Sequence, residues 1–159
     1  MDHTGLAQFF EKLEAEIRKG GMETVLVPPH DGMNETLRVL MPVTDEGDAS
    51  LLEIMTVPYA EDADLLIFYF TVIAKINTGY EELLRILHEW NLHCPLGAFG
   101  VFDNEEQGVK QLFFKYSVPF DPELEPEELS ENAWLLMTML YDIVSRKYKE
   151  AYRITKGGD

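Results

Sequence analysis

The sequence predicts an α+β domain, an antiparallel sheet with helices, in the order α-βββ-α-ββ-α. Three observations carry that class. Three segments repeat apolar residues at three- and four-residue steps, the helical period. Between them lie β-prone runs separated by short acidic or glycine-containing turns. One of those runs, Leu65 to Ala74, is apolar on both faces, so it belongs in the middle of a covered sheet.

Leu6, Phe9, Phe10, Leu13 and Ile17 fall on one face of the first helix. Thr4 or Asp2 can supply its N-cap oxygen, and Gly20-Gly21 supplies a left-handed C-cap. Thr24 to Val27 is β-prone but stops at Pro28-Pro29. It is either a short edge strand or an extended lead-in.

Glu35 to Met41 alternates, with Leu37, Val39 and Met41 opposite Thr36 and Arg38. Asp45-Glu46-Gly47-Asp48 is a turn, and Leu51 to Val57 returns across it as an antiparallel neighbour. Glu61, Asp62 and Asp64 mark the next turn, which leads into Leu65 to Ala74. Helices cover one face of that strand, and the other face needs a second cover, such as another subunit.

Thr78-Gly79-Tyr80-Glu81 has the spacing of a capping box. The helix it starts carries Leu83, Leu84, Leu87 and Trp90 on its apolar face, and Pro95 and Gly97 stop it. Ala98 to Phe102 and Val109 to Val118 form a hairpin. In its second strand Leu112, Phe114, Tyr116 and Val118 share a face, which leaves Phe113 beside Gln111 and Lys115 on the other. The final helix follows the acidic, proline-punctuated lead-in Asp121 to Glu128. Leu129, Ala133, Leu136, Leu140 and Ile143 or Val144 line it, and Trp134, Met137, Met139 and Tyr141 widen the stripe. Its acidic start and basic end complement the helix dipole.

With 159 residues, 46% hydrophobic and 26% charged, the chain reads as a single domain over 1–159. Its core spans 4–150, and 151–159 is expected to be a flexible tail. The net charge of −16 repels phosphate backbones and anionic membranes, so nucleic acid and membrane are not expected as partners. A basic protein or a cation suits it better, although an acidic surface also serves solubility alone. A single cysteine, Cys94, excludes an internal disulfide and suits a reducing compartment. Met1-Asp2-His3 has neither the basic nor the apolar region of a secretory signal. The expected location is the cytoplasm, where Asn34-Glu35-Thr36 is no glycosylation acceptor.

No catalytic, cofactor-binding or metal-binding set emerges. His88 and His93 are five apart, so on a helix they diverge by about 140° and cannot converge on one ion. Cys94 lies at a helix C-terminus, where the dipole disfavours a thiolate. Gly97-Ala98-Phe99-Gly100 lacks the basic neighbours of a nucleic-acid loop and is explained by a bent strand. The acidic turns lack the alternating ligands and late glutamate of a calcium loop, and no phosphate-binding or nucleophile-elbow motif is present.

Three features together carry a resemblance: the helix end Leu87-His88-Glu89-Trp90-Asn91; the hairpin Gly97 to Phe102 with Leu112-Phe113-Phe114-Lys115-Tyr116; and the acidic loop entering the last helix. In their order these elements resemble the type III secretion chaperone-like fold, and within it the YbjN-like family of bacterial sensory transduction regulators. The resemblance covers residues 4 to 150. It implies a non-enzymatic homodimer that binds protein segments as clients, with no cofactor. The Thr24 to Pro29 segment and the long acidic lead-in depart from the family pattern and could cover its binding grooves. Phe70, Trp90, Phe113 and Trp134 are the candidate protein-contact residues, and the sequence alone does not separate core from contact for Phe70, Trp90 and Phe113. The alternative from another class is a small-molecule or metal-sensing module built on the acidic turns or on His88 and His93.

Overall fold

A computed structural model describes residues 3–61, 63–120 and 124–156. Three helices and six strands follow one another as α1 (His3–Lys19), β1 (Glu23–Val27), β2 (Thr36–Pro42), β3 (Ala49–Ala60), β4 (Ala63–Ile73), α2 (Tyr80–His93), β5 (Ala98–Asn104), β6 (Val109–Phe120) and α3 (Pro126–Thr155). The strands form one antiparallel sheet in the order β1-β2-β3-β4-β6-β5. The expected α+β class and element order hold, and Thr24 to Val27 is resolved as part of the edge strand β1.

Period-two alternation divides the sheet into two faces. Leu37, Val39 and Met41 of β2, Leu52 and Ile54 of β3, and Leu66, Phe68, Phe70 and Val72 of β4 point to one side. Phe99 of β5 and Leu112, Phe114 and Phe120 of β6 join them, and all are buried in a single core with the helices. From α1 come Leu6, Phe9, Phe10, Leu13 and Ile17, all buried as the spacing predicts. From α2 come Leu83, Leu87 and Trp90, whereas Leu84 is exposed. That is a correction to the predicted helix face: a single sheet contact buries only a narrow stripe of a two-layer domain.

Along α3 the buried stripe runs Leu129, Ala133, Met137, Leu140, Val144, Tyr148, Ala151 and Ile154. Met137 takes the central place expected of Leu136, which is half-buried at the stripe's margin. α1 packs against α3 and β1, and α3 also meets α2 and β4.

Two local expectations are overturned. The Thr78 capping box does not form: the residue before α2 is Gly79, at φ 72°, and no side chain caps the helix. Thr78 instead donates its backbone N–H to the Thr155 carbonyl at 3.2 Å, and a Cβ on Gly79 would fall on the Ile154 carbonyl. The close approach of α3 therefore dictates this turn, and only glycine fits it.

The same contacts revise the C-terminal tail. α3 continues through Thr155, with Ala151, Ile154 and Thr155 buried, and Lys156 Nζ donates to the Lys75 carbonyl at 2.9 Å. Residues 151–156 are docked chain, while 157–159 lie outside the described residues. α1 begins at His3, which places Thr4 inside its first turn rather than at the cap. Asp2, Asp62 and the start of the acidic lead-in, 121–123, also lie outside the described residues. Gly21, at φ 84°, ends α1 in the left-handed conformation expected of it.

Candidate functional site

The helices occupy one face of the sheet, and the other face has no layer on it among the described residues. Its rows follow directly from strand register. One row runs Leu40, Leu51, Thr71, Phe113 and Gly100 across β2, β3, β4, β6 and β5. The adjacent row runs Val25, Arg38, Glu53, Tyr69, Lys115 and Ala98. A third carries Met55, Ile67 and Ser117. Leu40 is 45% exposed and Val25 61% exposed, whereas Leu51, Met55, Val57, Leu65, Tyr69 and Phe113 are half-buried by one another.

At the centre Tyr69 and Phe113 stack, with ring centroids 5.3 Å apart and planes 18° from parallel. Gly100 on β5 leaves the space that the Phe113 ring occupies, since a Cβ there would collide with it. Burial among these neighbours, and then the Glu53 carboxylate, push the Tyr69 phenol above its ordinary value of 10.0. Arg38 Nε donates to Glu53 Oε2 at 3.1 Å along the same row.

The four candidate contact residues are separated by the structure. Phe70 is fully buried, edge-on to Phe114 at 6.0 Å. Trp90 is buried, edge-on to Phe99 at 5.3 Å, with Lys147 Nζ 5.3 Å from its ring centroid. Both belong to the buried core, one of the two places the sequence left open to them. Trp134 is half-buried between α1 and α3, where its ring rests on Gly20. Phe113 alone of the four lies on the uncovered sheet face.

Its companions Leu40, Leu51, Met55 and Tyr69 are absent from the candidate set drawn from the sequence. They sit on strands read by their inward residues, and an apolar residue between two others carries no alternation signal. The register supplies what the pattern lacks: it aligns them.

A second concavity, of about 540 Å³, opens between the end of α2 and the middle of α3. Trp90, Phe99, Pro95 and Ile143 form its apolar wall, with Arg146 and Lys147 at the rim. Arg146 is held by Asp142 at 3.0 Å. Cys94 lines it too, its Sγ donating to the Leu96 carbonyl at 2.8 Å. His93 borders this concavity and is exposed, as is His88. Among the described residues no three histidine, cysteine or acidic side chains gather as a metal site, and no helix is long and apolar enough to cross a membrane.

With this geometry in hand, comparison with known proteins locates the fold. No family model matches the chain, and no curated protein matches it in sequence. Among solved structures it is similar to the crystal structure of YbjN from E. coli, a proposed transcription regulator. The TM-score is 0.53 at 11% identity, over 89% of this chain and 92% of that one. At that identity the likeness is one of fold: the chain has a YbjN-like α+β fold.

Proposed function

We propose that the chain is a non-enzymatic protein-binding and regulatory domain, acting as a homodimer and engaging a client by protein–protein contact. The uncovered apolar sheet face carries this reading. Antiparallel sheets can face water on one side, but they then alternate apolar-in with polar-out. Here Leu40, Leu51, Met55, Val57, Leu65, Ile67, Tyr69 and Phe113 stand outward among Arg38, Glu53, Thr71, Lys115 and Ser117, an apolar patch edged by polar groups, of the kind that marks protein contact sites. The aromatic residues at its centre, Tyr69 and Phe113, match the enrichment of aromatics in protein interfaces. The likeness to a proposed regulator points the same way. The engagement of the Cys94 thiol with a carbonyl favours a structural cysteine over a nucleophile.

A second reading, a small-molecule sensor, is favoured by one observation: the 540 Å³ concavity at Trp90 and Phe99 falls in the size range of ligand sites.

The test is comparative capture from cell lysate with the tagged full chain and its Leu40→Lys variant. A stoichiometric partner held by the parent chain and lost by the variant supports the protein-binding reading. A partner held equally by both removes the sheet face from that role.

A further inference from the structure

We infer that the concavity between α2 and α3 binds a small aromatic monocarboxylate, its ring against the apolar wall and its carboxylate on Lys147. The inference rests on the small-molecule reading of that concavity and adds the chemical class of its ligand.

The wall is held in place before any ligand arrives. Trp90 and Phe99 are both buried and meet edge-on at 5.3 Å. Asn91 holds the Phe99 backbone at 3.0 and 2.8 Å, and the Cys94 thiol ties the chain after α2 to the Leu96 carbonyl. Pro95 and half-buried Ile143 complete the apolar lining. A wall fixed in this way loses little freedom on binding, which favours affinity for a flat, rigid ring.

Charge sets the other half of the ligand. Glu89, His93, Asp142, Arg146 and Glu150 border the concavity, and all five are exposed. Among its charged lining residues only Lys147 is half-buried. At about 100° per residue, Lys147 and Ile143 stand beside the buried stripe of α3, whereas Asp142, Arg146 and Glu150 turn further outward. The Lys147 ammonium leans inward from the rim over the Trp90 ring, 5.3 Å from its centroid.

Arg146 is paired with Asp142 at 3.0 Å, but Lys147 pairs with no carboxylate among the described residues. The charge that faces the apolar wall is therefore a single cation without a counter-ion. A ligand carboxylate supplies one through a charge-assisted hydrogen bond, partly shielded from water by the wall. A cationic ligand would meet Lys147 at like charge, and a neutral one would leave its ammonium unanswered. A polyphosphate would bring more charge than one ammonium answers, against a chain of net charge −16. One negative charge on an apolar ring fits both features.

The test is isothermal titration calorimetry of the full chain with naphthoate, naphthamide and naphthylmethylamine, which share one ring system and differ in charge. Alkylation of Cys94, the single thiol of the chain and part of the lining, reports whether a bound probe occupies this concavity. Naphthoate is expected to bind one per chain and to slow the alkylation, with both other probes at least about tenfold weaker. Lys147→Gln, shown to be folded by circular dichroism, is expected to weaken naphthoate at least about tenfold and to leave naphthamide within about twofold. Lys147→Arg, which keeps the charge, is expected to bind naphthoate nearly as the parent chain does.

Naphthamide or the amine bound as tightly as naphthoate, with Cys94 protected, overturns the carboxylate class and leaves the small-molecule reading standing. Naphthoate binding that ignores Lys147→Gln, or that leaves Cys94 unprotected, overturns the assignment of the ligand to Lys147 and this concavity. Absence of binding by all three probes at millimolar concentration overturns the inference and removes the small-molecule reading with it.

Discussion

Asn91 holds Phe99 by both of its backbone groups. The Nδ2 of Asn91 donates to the Phe99 carbonyl at 3.0 Å, and its Oδ1 accepts the Phe99 N–H at 2.8 Å. Phe99 lies on β5, the last strand of the sheet, and these groups point away from β6. A primary amide thus stands in for the missing neighbouring strand. Edge strands expose such groups to any passing chain, and here the helix end closes one of them. The preceding residue, Trp90, packs on the Phe99 ring from the same turn of helix. Trp90-Asn91 therefore fixes α2 to the sheet edge through one apolar and one polar contact on a single residue.

Asn91→Ala is expected to destabilise the fold by about 1–3 kcal/mol, because it leaves a part-buried backbone pair without its partner. Chemical denaturation measures the loss. Amide hydrogen exchange locates it, with the Phe99 N–H exchanging faster than in the parent chain. Unchanged exchange at Phe99 would show that the amide clamp does not protect the edge.

Gly79→Ala probes the junction between α2 and the end of α3. A left-handed residue with a Cβ costs about 1–2 kcal/mol, and the Ile154 carbonyl adds a steric conflict at the same point. A drop in melting temperature beyond the conformational contribution is expected. Ile154→Ala should destabilise from the other side by about 2–5 kcal/mol through lost packing. If both changes leave thermal unfolding unaltered, residues 151–156 do not contribute to the fold.

The sequence makes much of this architecture legible, for identifiable reasons. The α1 stripe and the inward residues of β2, β3 and β6 follow simple periods, so both elements and buried faces can be read directly. Gly79 was misleading because Thr78 and Glu81 have capping-box spacing, while the contact that governs the turn comes from Ile154, far away in sequence. Phe70 and Phe113 look alike in a two-faced or mixed strand. Alternation along β6 already sets Phe113 apart from Phe114, but only register shows that Phe70 joins Phe114 in the core and that Phe113 meets Tyr69 outside it. The role of Asn91 was equally hidden, since its partner is a backbone rather than a side chain.

Tyr69 links the open face to pH. Its phenol is raised above 10.0 chiefly by burial and secondarily by Glu53, so the folded chain favours the neutral form. That preference is fully present below the unfolded value and is lost as pH rises through the raised folded value. Ultraviolet titration of the phenols should therefore show Tyr69 among the late-ionising groups, together with Tyr148, whose phenol is also raised by burial, Asp48 and Tyr152. Tyr69→Phe is expected to remove one late component and part of the stability loss at alkaline pH. An unchanged titration would place the Tyr69 hydroxyl in ordinary solvent.

Hydroxyl-radical footprinting at increasing protein concentration examines the open face most directly. Leu40, Met55 and Phe113 are expected to become protected as concentration rises. Met139 and Tyr152, exposed on α3, should stay equally reactive throughout. Equal oxidation of Leu40, Met55 and Phe113 at every concentration would contradict the proposal that this face is the contact surface of a homodimer.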